Sequence, residues 1–209
     1  QDMAEIVEQA LEAGFSHLDT AAIYANEQFV GKATRESGLG REDVWATTKY
    51  DDGVVSEEVH SIGITHPDPY LVHGLWSIET MTLRRLLEEM NKVKHAGLAK
   101  SIGVSNFILD LLQRTIKTGK RVPAVKQIRL HLYNYASWKD VLEFSAKRGI
   151  VTEAYGSLAS ITTSPGGLID PTLARIAARI GGTSAQVIFT WAHSMGGTPD
   201  ETSTYASFN

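Results

Sequence analysis

Six short apolar runs, separated by longer stretches with helical periodicity, constrain this chain of 209 residues more than any other feature. The runs are GFSHLD (14–19), DVWATTK (43–49), PYLVHG (69–74), AKSIGVS (99–105), AVKQIRL (124–130) and GIVTEAY (149–155). Each is too short for a helix and lies among Gly, Pro or Asp residues, so each reads as a buried strand. The stretches 3–14, 26–38, 78–97, 106–119, 137–149, 171–182 and 184–197 repeat apolar residues at helical spacing. Glycines such as Gly14 and Gly38 close them, as helix C-termini favour. Strand and helix in alternation mean a parallel sheet with crossover helices. The stretch SLASITTSPGG (157–167) reads as a loop within this order, so one domain over residues 1–209 is expected.

Two closures satisfy that order, an open doubly wound sheet and a closed barrel. The open sheet ordinarily announces a glycine-rich phosphate loop after its first strand. The nearest string, GLGRED, lies between a helix and a strand and lacks the third glycine. A barrel instead places its chemistry at the C-terminal ends of several strands. The expected fold class is therefore α/β, a (β/α)8 barrel with six of its eight strands readable.

Those strand ends are polar. The first run ends at Asp19, with Tyr24 in the loop beyond it, the second at Lys49 and the third at His73. The fourth ends at Ser105 and Asn106, the fifth carries Gln127, and the sixth ends at Tyr155. An isolated tyrosine has a pKa of about 10 and gives up its proton poorly at neutral pH. A nearby ammonium stabilises the phenolate, so Lys49, held by Asp19, is expected to lower the pKa of Tyr24 and make it a general acid. His73 is placed to orient a carbonyl oxygen through a donated hydrogen bond. Ser105, Asn106 and Gln127 offer the donors and acceptors that a carboxamide needs, and Tyr155 a flat face for a planar ring. Carbonyl, carboxamide and planar ring together describe hydride transfer from a nicotinamide.

At these positions the chain resembles the aldo-keto reductases. GFSHLDTAAIYANEQFVG is similar to the first signature of that family, and TTKY, YLVHG, IGVSNF, the glutamine of VKQIRLH, and EAYGSL follow in the family's order. The resemblance covers most of residues 1–197. It implies a barrel that binds NADP(H) without a Rossmann domain and reduces an aldehyde or ketone to an alcohol, with a small-molecule carbonyl compound as substrate. It also implies a catalytic tetrad of Asp19, Tyr24, Lys49 and His73. Cofactor contacts fall on Ser105, Asn106, Gln127, Tyr155, Gly156, Ser157 and Leu158. Trp76 either lines the substrate pocket or covers the barrel rim.

Four departures from the family pattern stand out. The chain opens at the family's first barrel helix, so the preceding hairpin and first strand are not found. The helix before His73 is short, since EEVHSIG (57–63) is barely two turns. Lys126, Arg129 and Leu132 stand where the family tends to have Asn, Glu and Pro. HSMGG then runs directly into TPDETSTYASFN, with no counterpart to the last strand or to the segment that grips the adenosine 2′-phosphate. Segments missing at the N-terminus, near residue 61 and near the C-terminus are the expected explanation.

Composition excludes other classes. A net charge of −4 offers no basic field to nucleic acid or to a membrane surface. The absence of cysteine removes disulfides, thiolate catalysis and cysteine–zinc sites, and permits a reducing compartment, so a cytoplasmic location is expected. No apolar run approaches the roughly 20 residues of a membrane span. The seven histidines form no metal-ligand spacing, so no metal is expected. Oligomeric state leaves no signature. Two functional readings stay open: an NADP(H)-dependent carbonyl reductase, and a non-catalytic cofactor-binding or regulatory barrel of the same fold.

Overall fold

A computed structural model of the chain describes residues 3–53, 55–58, 66–78 and 81–199. Seven strands form one parallel sheet in sequential order: β1 (His17–Asp19), β2 (Trp45–Tyr50), β3 (Pro69–Val72), β4 (Ser101–Ser105), β5 (Val125–Arg129), β6 (Val151–Tyr155) and β7 (Gly197–Pro199). All six strands legible in the sequence are present, and Gly197–Pro199 adds a seventh. Backbone pairing of Gly197–Pro199 with Thr152–Ala154 makes a strand of a segment that carries no apolar run.

The outer layer contains α1 (Met3–Glu12), α2 (Glu27–Glu36), α3 (Val55–Glu58), α4 (Leu83–His95), α5 (Leu109–Gly119), α6 (Tyr135–Ala146), α7 (Ala159–Thr162), α8 (Asp170–Ile180) and α9 (Ser184–Ser194). Local chemistry sets their ends. Thr82 caps α4 by accepting from the Arg85 N–H, while Lys92, Lys94 and His95 lie in its negatively polarised last turn. Thr183 and Gln186 form a capping box that opens α9. The helix expected from 106 starts instead at Leu109, because Asn106 adopts φ 60° at the end of β4 and cannot continue into a right-handed turn. The stretch 157–167 is mostly loop, but α7 interrupts it. Of the short helix expected over 57–63, residues 59–63 lie outside the described residues, as do 200–209.

Side chains alternate across each strand, as the two-residue strand period requires. Tyr70, Val72 and Val104 face outward into the largest core cluster with Leu86, Met90, Phe107 and Leu112. Ile128 and Ala154 pack outward with Leu130 and Leu142, and Leu18 packs with Leu11, Val30 and Val44. The opposite parity faces inward, and there the sheet curls on itself. Gln127 on β5 reaches Asp19 on β1 at 3.0 Å, and His17 lies 3.8 Å from Glu153 on β6. This is a (β/α)8-type barrel with seven strands among the described residues.

Candidate active site

Asp19, Lys49 and Gln127 rise from the inner face of the barrel towards its C-terminal mouth. Lys49 is almost fully buried, so its ammonium must be paired. It donates to Oδ2 of Asp19 and, at 2.9 Å, to the carbonyl oxygen of Thr20. Asp19 also accepts from Gln127 Nε2 at 3.0 Å, and the same amide donates to Glu153 Oε2 at 3.1 Å. Burial and the neighbouring Asp19 push the Glu153 carboxyl up to about 7, against the pull of Gln127 and Lys49.

Tyr24 hangs over this pair. It ends a single 3-10 turn (Ala22–Tyr24) after β1, and Ala25 then takes φ 52° to leave the turn. The Lys49 ammonium lies 5.2 Å from the centre of the Tyr24 ring. The Tyr24 hydroxyl is 3.3 Å from His73 Nε2, and the two rings meet edge to face with centroids 5.4 Å apart. Burial pushes the hydroxyl up to about 12. Lys49 pulls it down and Asp19, Tyr155 and Asp51 add to the rise. The expected net lowering by Lys49 is therefore not found, because desolvation of the phenolate outweighs the ammonium. The hydroxyl keeps its proton across the neutral range, with the Lys49 ammonium favouring its phenolate.

His73 follows β3 and is held from three sides. Its carbonyl accepts from Asn106 Nδ2 at 3.0 Å, its Nδ1 lies 2.8 Å from Asp51 Oδ1, and Trp76 packs on the ring at 5.2 Å. Trp76 is thus at the mouth beside His73, and its indole N–H donates to the same Asp51 oxygen at 3.0 Å. The other Asp51 oxygen accepts from the Ile23 N–H at 3.0 Å.

The residues expected to meet a cofactor gather on the adjoining arc. Asn106 donates to the Ser105 hydroxyl at 3.1 Å and accepts from the Tyr155 hydroxyl at 2.9 Å. Its left-handed backbone is one that asparagine tolerates and that often marks a functional turn. Gly156 turns the chain at φ 62°, Ser157 is buried and bonds back to the Ala154 carbonyl at 3.3 Å, and Leu158 leads into α7. Hydroxyl, two carboxamides and a half-buried aromatic ring on one arc fit the donor set that a nicotinamide needs.

Two residues of the site escape a reading of the sequence alone, Asp51 and Glu153. Each carries a signal in strand parity. Asp51 is two residues beyond Lys49 and Glu153 is two before Tyr155, so each shares a face with a residue already singled out.

The family model described as "Aldo/keto reductase family" matches residues 1–199. The chain belongs to the aldo/keto reductase family. An aldo-keto reductase of Mycolicibacterium smegmatis is 38% identical over 201 residues, covering 91% of this chain and 68% of that protein. The crystal structure of an aldo/keto reductase from Brucella melitensis superposes with a TM-score of 0.83 at 34% identity, over 98% of this chain and 79% of that one. A Bombyx mori aldo-keto reductase solved in complex with NADP has a TM-score of 0.80 at 26% identity, with 97% and 74% covered. The chemistry of the family is oxidoreduction of carbonyl groups, with NADP(H) as its cofactor. Among the described residues no helix is long and apolar enough to cross a membrane, and no cluster of His, Asp or Glu is arranged to hold a metal ion.

Proposed function

We propose that this protein is an NADP(H)-dependent reductase of small aldehydes or ketones, with Tyr24 as the proton donor. The observation that carries this reading is the Tyr24 hydroxyl, poised beside His73 and above the buried Lys49–Asp19 pair at one mouth of the barrel. When bound, the reduced nicotinamide supplies hydride to the carbonyl carbon. Ser105, Asn106 and Gln127 would hold its carboxamide, Tyr155 would cover its ring, and Gly156, Ser157 and Leu158 would border the rest of the cofactor.

The protein's own residues handle the oxygen. Tyr24 gives its proton to the carbonyl oxygen as negative charge develops there. Lys49 stabilises the resulting phenolate, and Asp19 with the Thr20 carbonyl keeps the ammonium aimed at it. His73 borders the same oxygen site and fixes the direction of approach. Trp76, lying on the His73 ring, forms one wall for the substrate. We read residues 1–209 as a single barrel domain working in the cytoplasm.

Two measurements on the full chain test this proposal. Nicotinamide fluorescence on titration with NADPH is expected to change saturably, and an added aldehyde is expected to drive NADPH oxidation. Binding without turnover would favour the non-catalytic barrel instead.

A further inference from the structure

Ile23, Leu75 and Trp76 expose apolar surface at the mouth where Tyr24 and His73 meet, at 64%, 49% and 44% of each residue. Ile23 lies on the turn that presents Tyr24, while Leu75 and Trp76 open the short turn Leu75–Ile78 beyond His73. These turns follow β1 and β3, and β2 runs between those strands. Asp51 stands just past the end of β2 and reaches both. Its Oδ2 accepts from the Ile23 backbone N–H at 3.0 Å, and its Oδ1 accepts from the Trp76 indole N–H at 3.0 Å. Asp51 is itself buried. Burial opposes its ionisation, but nearby His73, the Trp76 indole and the Ile23 N–H together hold its carboxyl below the usual carboxylate range. Hydrogen bonds to an ionised acceptor are roughly twice as strong as neutral ones, so one carboxylate joins two turns whose exposed side chains do little to fix them.

We propose that Asp51 is a positioning residue for the body of the substrate: it holds the Ile23 turn and Trp76 as two walls of an apolar subsite that selects aryl or branched-alkyl carbonyl compounds over polyhydroxy ones. Selection follows from what the walls offer. The side chains of Ile23 and Leu75 carry no polar atom, and the indole of Trp76 has a single donor and no acceptor. Asp51 engages that donor, so the Trp76 wall presents only its ring to a ligand. An apolar group laid against it leaves water and meets an aromatic face, whereas hydroxyl groups there lose water without gaining a partner. The subsite adjoins the reacting atoms. The Trp76 ring packs on His73 with centroids 5.2 Å apart, and His73 Nε2 lies 3.3 Å from the Tyr24 hydroxyl. A substrate body held at Trp76 therefore leaves its carbonyl beside Tyr24.

This inference rests on the reductase reading for its kinetic consequence, but the link itself can be read without activity. In 1H–15N spectra the Trp76 indole N–H, assigned with Trp76→Phe, is expected to exchange with solvent about 10-fold faster in Asp51→Ala than in the parent, the loss of one charged hydrogen bond. Equal exchange in the two proteins would overturn the proposal, whatever the enzyme does. In steady-state reduction with NADPH, the parent is expected to prefer benzaldehyde to glyceraldehyde. Asp51→Ala is expected to lower kcat/KM about 10-fold more for benzaldehyde than for glyceraldehyde, with the difference in KM. Asp51→Asn, whose one oxygen still accepts from Ile23 or Trp76, should lose less of that preference. An equal loss for both aldehydes would contradict the proposal, since it would place the effect of Asp51 on the carbonyl and not on the substrate body. Failure of the parent to reduce either aldehyde would count against the proposed function and leave the indole exchange to decide the link.

Discussion

The side-chain amide of Gln127 donates to Asp19 over 3.0 Å, joining two strands that are 108 residues apart in the chain. The same nitrogen donates to Glu153, so one neutral amide separates two buried carboxyl groups beneath Tyr24. Like charges at such a site cannot both ionise cheaply, and the less well paired group takes up a proton. Asp19 has the Lys49 ammonium; among the described residues Glu153 has the amide and a histidine at 3.8 Å.

Glu153 therefore makes stability fall with pH. Its native pKa of about 7 lies above the ordinary 4.5, so the unfolded chain loses this proton first as pH rises. The contribution is fully present below 4.5 and is lost by the time pH has passed about 7. At one pKa unit to 1.36 kcal/mol, the loss is about 3 kcal/mol. Glu153→Gln should remove that slope and be the more stable protein at pH 8, by about 1–3 kcal/mol after allowing for local rearrangement. Urea unfolding of both proteins at pH 5 and pH 8 checks this; equal slopes would refute the assignment.

Lys126 predicts the opposite slope. It points outward from β5, is fully buried, and its ammonium lies 4.7 Å from the centre of the Trp138 ring. Nζ makes no hydrogen bond among the described residues, and burial lowers its pKa from 10.5 to about 7. The unfolded chain keeps this proton between those values while the native one sheds it, so stability rises from pH 7 towards 10.5 as the pH drives the release. The sign follows from a folded pKa below the unfolded one: the unfolded state binds more protons across that window, and its stability relative to the native state falls as pH rises. Lys126→Met should stabilise the protein at pH 7 by roughly 2–4 kcal/mol, the relief of burying a charge less the lost attraction to Trp138. Denaturant midpoints at pH 7 and pH 10 should show the gain shrinking at the higher pH.

Gly103 is a packing prediction. A Cβ there would lie 2.3 Å from the Val125 carbonyl oxygen and 2.8 Å from Leu71 Cδ2. The obstacle is backbone of the neighbouring strand, which cannot swing aside as a side chain can. Gly103→Ala should cost about 1–3 kcal/mol and weaken NADPH binding, because β4 carries Ser105 and Asn106 at its end. Thermal unfolding together with NADPH titration checks both effects, and an alanine variant of unchanged stability would contradict the packing.

Much of this architecture is legible in the sequence, and the exceptions have physical reasons. Polar residues closing apolar runs stand out, so Asp19, Lys49, His73, Ser105 and Tyr155 can be placed at strand ends from the pattern of the chain alone. β7 cannot, since Gly197–Pro199 contains a glycine and a proline and becomes a strand only through its pairing with β6. Asp51 is hidden for a different reason: the string KYDDG reads as a polar turn, and nothing local says that Ile23, His73 and Trp76 converge on its first aspartate. Glu153 is masked by the apolar run around it. The protonation of Tyr24 is legible only in part, because the sequence supplies the ammonium but not the degree of burial that opposes it.

The central claim is that Tyr24 is the proton donor in carbonyl reduction. Its most direct test is Tyr24→Phe, which removes one hydroxyl and keeps the ring that packs against His73. The variant should bind NADPH as the parent does, read by nicotinamide fluorescence, yet lose about 10²- to 10⁴-fold in kcat for aldehyde reduction. A Tyr24→Phe protein that reduced aldehydes at the parent's rate would contradict the account.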